Sequence, residues 1–247
     1  MMSDSPRVYL LDVEGTTSPV SLVSEQLFPY ARKHLAGYLR EHWSEPETQA
    51  DLALLAEENR AEKDEQWVLR FAQDDKSLGR DDNSLELDAA LSYLLWLMDR
   101  DRKSTALKSL QGRIWKSGYE AGELVGTVFP DVAEAFARWS RTAKVAIYSS
   151  GSVEAQKLIF RYSSAGDLTP YISAYFDTRT GAKTSAESYR AIAAAMGVAT
   201  SEILFVSDLL RELGPAREAG YMTRLSVREG NQPVPDQCGH IAVSSFA

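Results

Sequence analysis

Three apolar runs end in residues that can do chemistry. Residues 8–11, VYLL, stop at Asp12, with Glu14 two positions later and then Gly15 and two threonines. Residues 144–148, KVAIY, lead into Ser149, Ser150, Gly151 and Ser152. Residues 202–206, EILFV, lead into Ser207 and Asp208, with Glu212 further on, and Lys183 stands in TGAKTS ahead of a helical stretch. Each piece alone has a bland reading. Asp12 and Asp208 could sit at helix starts, the serines could be an N-cap with spare hydroxyls, and Lys183 could be a surface lysine. Their joint placement points elsewhere. Carboxylates gathered without cations repel one another and raise their own pKa values. A lysine and a hard divalent cation resolve that repulsion, and Mg²⁺ prefers a few carboxylates plus waters and substrate phosphate oxygens.

Stepping from these residues to what must hold them, the runs at 8–11, 144–148, 202–206, 223–227 and 240–243 are short and bounded by polar residues or glycine, as buried parallel strands are. Helical spacing alternates with the later ones, over 151–163, 185–197 and 209–220, and Gly197 is a candidate C-cap. Alternation of this kind predicts an α/β fold, a Rossmann-like three-layer parallel-sheet core. In such sheets ligands bind at the carboxyl ends of the strands, where the residues above would lie. Residues from about 30 to 125 carry helical periodicity, including 46–73, 83–101 and 103–122, and no strand signal. The prediction is an all-helical cap domain, 29–125, inserted into a core of 1–28 and 126–247.

Composition narrows the function. Of the 247 residues, 44% are apolar and 25% charged, which fits a globular chain. The formal net charge of −8 argues against nucleic acid or an anionic membrane as partner. A single cysteine, Cys238, excludes an internal disulfide and fits a reducing, cytoplasmic setting. His34, His42 and His240 show no metal-ligand spacing, and no P-loop-type glycine-rich nucleotide loop is present.

DVEGTT, YSSGS, the lysine of GAK, and VSD followed by Glu212 resemble, in order, the four motifs of haloacid dehalogenase-like hydrolases. LLDVEGTTSPVSLVSEQLFPYARKHL, GRIWKSGYEAGELVGTVFPDV, IYSSGSVEAQKLIF and FDTRTGAKTSAESYRAIA resemble the enolase-phosphatases of methionine salvage within that superfamily. The likeness spans nearly the whole chain and is weakest around 45–80 and after 228. It implies that Asp12 attacks phosphorus to form an aspartyl-phosphate. One Mg²⁺ per subunit would be held by Asp12, the backbone carbonyl of Glu14, and Asp208. Ser149 and Ser150 would bind the phosphoryl oxygens, Lys183 would neutralise charge on nucleophile and phosphate, and Glu212 would orient the metal site.

The acid two positions after the nucleophile is commonly Asp in the superfamily's phosphatases and Glu in the enolase-phosphatases. Glu14 therefore favours the latter, its extra methylene moving the carboxyl by roughly 1.5 Å. It is a candidate to protonate the leaving oxygen, to activate water and to serve as the enolisation base. The implied substrate is a phosphorylated diketone, 2,3-diketo-5-methylthiopentyl 1-phosphate, taken by a monomer. The inserted helices would form a lid, with Trp115 and Tyr119 either lining the methylthio site or packing the cap. A metal-free haloacid dehalogenase, a phosphatase for another small phosphate monoester, and a binding module that lost catalysis are the rivals. Glu14 speaks against the first and the intact motifs against the last.

Overall fold

In the computed structural model the described residues are 5–61, 82–234 and 239–247, with backbone alone for 82–85. The elements run β1 (Val8–Leu11), a π-helical turn (Leu22–Leu27), α1 (Phe28–His42), α2 (Pro46–Arg60), α3 (Asp82–Asp99) and α4 (Thr105–Glu120). They continue with α5 (Val132–Trp139), β2 (Lys144–Tyr148), α6 (Val153–Arg161), β3 (Ile172–Phe176), α7 (Ala186–Met196), β4 (Ile203–Ser207), α8 (Leu210–Glu218), β5 (Met222–Ser226) and β6 (Ile241–Val243). Two compact units emerge, residues 1–26 with 121–247, and residues 27–120. The sequence reading draws the division at 28/29 and 125/126 instead. The part of the 46–73 stretch from residue 62 on, and Cys238, lie outside the described residues.

The first unit is a six-stranded sheet in the order β3-β2-β1-β4-β5-β6, with every pairing parallel. Residues that alternate along β1 point to opposite faces. Tyr9 stacks on Trp139 of α5, with ring centroids 4.1 Å apart. Leu10 joins the cluster of Phe205, Tyr189 and Ile192, in which α7 packs on the sheet. Helices therefore cover both faces, and the central strands β1, β2 and β4 are mostly apolar because they are buried on both sides. β3 was not among the strands read from the sequence. It is the edge strand beyond β2 and only partly buried, so ISAYF admits Ser173 and gives no continuous apolar run.

The strand order fixes where a ligand can sit. From β1 the chain goes to β2 and then β3 on one side, and returns to β4 and β5 on the other. The loops leaving β1 and β4 thus part at a topological switch point, which opens a crevice at their carboxyl ends.

The second unit is helical. Leu35 and Leu39 of α1, Leu55 of α2, Leu94 of α3 and Leu110 of α4 form its buried core. Arg113 pairs with Asp51 and donates to the Tyr38 hydroxyl at 3.0 Å. The IWKSGY segment has a local reason for its glycine. A Cβ on Gly118 would stand 2.6 Å from the Tyr30 ring, so glycine lets that ring lie against α4. Trp115 donates its indole N–H to the Leu27 carbonyl at 2.7 Å, and Tyr119 is buried. No helix among the described residues is long and apolar enough to cross a membrane.

Candidate active site

Asp12 follows the last residue of β1 and its backbone N–H still donates to Val206 of β4 at 3.0 Å. The ladder therefore fixes its position. Leu11 stands level with Ile147 and Val206, so Asp12 stands level with Tyr148 and Ser207, and Ser149 and Asp208 lie one step beyond. Asp12 is 5% exposed. Its Oδ1 accepts from the Val13 N–H at 2.7 Å and faces Lys183 Nζ at 2.8 Å. The Thr17 hydroxyl donates to the Asp12 carbonyl at 3.0 Å, closing the turn beneath it.

Lys183 is not a surface lysine. It is 7% exposed, and its ammonium also faces Glu212 Oε2 at 2.6 Å. Three hydroxyls hold the segment that carries it, each on a successive carbonyl. Tyr148 donates to Gly181 at 2.9 Å, Ser188 to Ala182 at 2.8 Å, and Tyr189 to Lys183 at 2.7 Å. Tyr189 also reaches the Glu212 carbonyl at 3.1 Å, so one side chain of α7 ties the lysine loop to α8. Gly181 has φ 142°, and a Cβ there would lie 2.2 Å from the Ser188 hydroxyl oxygen. Glycine is required for that close approach.

Glu212 is held from a second direction. The Ser207 hydroxyl donates to its Oε2 at 2.8 Å and lies 3.4 Å from Asp12 Oδ2. A hydroxyl has one proton, and the shorter contact takes it. Asp12 Oδ2 is thus the less engaged oxygen of that carboxylate. Burial pulls the Lys183 ammonium towards neutrality, and Asp12 and Glu212 more than reverse this, so its pKa lies above the usual lysine value. The Glu212 carboxyl is raised by burial and then by Asp12.

Glu14 and Asp208 complete the cluster. Burial first, then the charge of Asp12, pushes the Glu14 carboxyl up to about 7. Asp208 is pushed up to about 7 by burial, then by Asp12 and Glu212. Asp208 is no helix cap, because α8 has Leu209 at its N-cap position and no side-chain cap bond. Its Oδ2 lies beside Gly15, where a Cβ would come within 2.6 Å of it, and Gly15 takes φ 65°. Among the described residues no three His, Cys, Asp or Glu side chains form a ready-made metal cage. A magnesium site does not need one, since that ion keeps several waters and takes one or two carboxylates. The donor set fits such an ion: it offers hard oxygens only, and burial together with neighbouring carboxylates already raises Glu14 and Asp208 for lack of a cation that would favour their charged forms.

Ser149 is buried at the end of β2 and accepts from the Gly151 N–H at 3.2 Å, while Ser150 is exposed at the tip. Ser152 is the N-cap of α6, its hydroxyl accepting from Ala155 N–H at 3.2 Å. The structure joins Asp12, Lys183 and Glu212 by direct contact and sets Asp208 against Gly15. Ser149 and Ser150 share the same sheet end without a direct bond to Asp12. Sequence reasoning placed Ser207 at a strand end without a role; the structure has it donate to Glu212 and lie beside Asp12. It missed two further contributors. Tyr189, within the helical stretch 185–197, carries no signal in its type or spacing for the carbonyls it holds. Asn231, beyond the last stretch that carries the resemblance, donates its amide to the Gly15 carbonyl at 2.9 Å.

Comparison with known proteins places the chain in a family. The family model for haloacid dehalogenase-like hydrolases matches residues 6–220. A protein of Synechococcus elongatus named enolase-phosphatase E1 is 51% identical over 226 residues, covering 91% of this chain and 90% of the relative. Another of that name from Pseudomonas aeruginosa is 44% identical, covering 98% and 96%. The crystal structure of the UTR4 protein of Saccharomyces cerevisiae superposes with a TM-score of 0.75 at 33% identity, covering 98% of this chain and 99% of that one.

Proposed function

Since the chain belongs to the haloacid dehalogenase-like hydrolases and, within them, to the enolase-phosphatases, we propose that it is a bifunctional enolase-phosphatase of methionine salvage. It enolises 2,3-diketo-5-methylthiopentyl 1-phosphate and then removes the phosphate to give an acireductone. The observation that carries the chemistry is the buried contact between Lys183 and Asp12 at the switch point of the sheet. The substrate is supported by the likeness to relatives named enolase-phosphatase E1 over nearly the whole chain.

Asp12 attacks phosphorus in line, and the bond to the ester oxygen breaks as the aspartyl-phosphate forms. Glu14 hands its proton to the leaving oxygen, a role suited to a carboxyl that titrates near neutrality. Glu14, now ionised, takes a proton from the water that hydrolyses the aspartyl-phosphate, which restores both groups. Lys183 holds the Asp12 carboxylate in one orientation and offsets the negative charge that phosphate brings. Ser149 and Ser150 bind phosphoryl oxygens. Asp12, Asp208 and the Glu14 backbone carbonyl would hold one Mg²⁺, with Glu212 bracing Lys183 behind them. Bound there, the ion supplies positive charge to the phosphoryl oxygens and to the carboxylates around them. For enolisation, ionised Glu14 takes the proton from the carbon that bears the ester while the carbonyl oxygen takes one from water, which leaves Glu14 protonated for the phosphoryl step; after hydrolysis Glu14 gives its proton to solvent and the cycle closes. The single cysteine of the chain supports a cytoplasmic setting, and its acidic charge supports a small-molecule partner over nucleic acid.

The test is turnover of the diketone phosphate with Mg²⁺, following the enol chromophore and free phosphate together. Both signals rise in wild type and both stop with EDTA. Phosphate release from many simple esters with no enol chromophore would replace this reading with a general small-ester phosphatase. In Glu14→Gln, enol forming at the wild-type rate would remove Glu14 as the enolisation base.

A further inference from the structure

Beside the nucleophile turn lies a buried acceptor that the mechanism above leaves unused. Asn231 sits on the loop after β5, and its amide nitrogen donates to two carbonyls, Gly15 at 2.9 Å and Ser226 at 3.1 Å. Both partners are acceptors, so the nitrogen must face them and the amide oxygen must face the other way. That oxygen, Oδ1, is buried and has no partner among the described residues. A buried amide oxygen left without a donor costs about 1–3 kcal/mol, so its retention calls for a reason.

Its surroundings suggest one. The space that a side chain on Gly15 would fill is bounded by Asp208 Oδ2 at 2.6 Å and by Asn231 Oδ1 at 2.7 Å. Two acceptors therefore face one small region beside the residue that follows Glu14, and with Asp208 ionised neither can satisfy the other. What both can serve is a cation or the water around it. The Gly15 carbonyl is itself held from two sides, by Asn231 and by the Ser226 hydroxyl at 2.8 Å, which fixes the peptide next to the Glu14 carbonyl.

We propose that Asn231 is a positioning residue of the magnesium site, anchoring the Glu14–Gly15 turn with its amide nitrogen and offering its oxygen, through water, to the ion beside Asp208. This rests on the reading that Asp12, Glu14 and Asp208 hold Mg²⁺. A neutral oxygen suits the place, since Asp12, Glu14, Asp208 and Glu212 already crowd it with negative charge. An additional carboxylate would deepen the repulsion in the metal-free protein. Groups that support metal ligands from behind typically change metal affinity 10–100-fold when removed.

The experiment is calorimetric titration of the metal-free full chain with MgCl₂, alongside thermal unfolding in EDTA. Wild type, Asn231→Ala and Ser226→Ala are compared. Ser226→Ala removes the other donor to Gly15 and leaves the Asn231 oxygen in place. The expected result is Mg²⁺ binding weakened about 10-fold or more in Asn231→Ala and clearly less in Ser226→Ala. Turnover of Asn231→Ala returns at high Mg²⁺ with the substrate KM unchanged. Should Asn231→Ala not fold, Asn231→Ser keeps a shorter oxygen, and the same loss of affinity is expected of it. Wild-type affinity in a folded Asn231 variant, or an equal loss in Ser226→Ala, overturns the proposal and leaves the proposed function standing. Failure of wild type to bind Mg²⁺ at all overturns both.

Discussion

Replacing Lys183 with methionine separates the charge from the stem that carries it. Methionine keeps apolar bulk between Tyr148 and Phe205, whose ring centroids lie 5.7 and 5.9 Å from the ammonium. It leaves Asp12 and Glu212 as buried carboxylates without their shared cation. Removing one member of a buried ion pair costs about 3–5 kcal/mol. For one-step unfolding of a 247-residue chain, the melting entropy is about 0.5 kcal/mol per degree. The Tm of the metal-free protein should thus fall by roughly 6–10 °C.

The loss also has a pH dependence of definite sign. The Glu212 carboxyl already titrates above its ordinary value because of burial and then Asp12. Without Lys183 it rises further. An acid whose folded pKa exceeds its unfolded value destabilises the fold above the folded pKa and does no harm below the unfolded one. The Lys183→Met deficit should therefore be larger at about pH 8 than at about pH 5, because acidification lets a proton stand in for the ammonium. The assay is thermal unfolding in EDTA at both pH values, with Lys183→Met/Glu212→Gln as the partner variant. Its loss should be smaller than the sum of the single losses, since the repulsion left by one change is relieved by the other. A fall of under about 2 °C at pH 8, a deficit that grows on acidification, or strict additivity would refute the reasoning.

Other consequences are as direct. Tyr189→Phe removes the donor to the Lys183 carbonyl and the contact to the Glu212 carbonyl, so stability should drop by about 1–3 kcal/mol and kcat should fall with it, read by unfolding and steady-state kinetics. Gly15→Ala forces an alanine to φ 65° and pushes a methyl against Asp208 and Asn231; Mg²⁺ titration should show weakened binding, and wild-type affinity would contradict the packing described. Glu14 and Asp208, both raised to about 7, make the metal-free protein lose stability as pH climbs from the unfolded carboxylate range through 7. Saturating Mg²⁺ should flatten that slope in thermal scans, because a cation favours the ionised carboxylates.

Much of the chemistry was written locally. An apolar run followed by Asp12, one followed by Ser149 and one followed by Asp208 are legible because parallel strands buried on both faces must be continuously apolar, and they must give way to polar residues where they end. That logic failed at β3, whose partial burial at the sheet edge lets Ser173 stand among its apolar residues. What no local pattern could specify is which strand ends are neighbours. Asp12 and Ser207 are 195 positions apart and stand level only because β4 pairs with β1. The strand order likewise decided that Lys183 would be buried between two carboxylates rather than solvated. It also gave Tyr189 and Asn231, ordinary in sequence, their carbonyls to hold. Residue types determined what reactions were available; the crossovers of the sheet, set by packing over the whole chain, determined which groups meet.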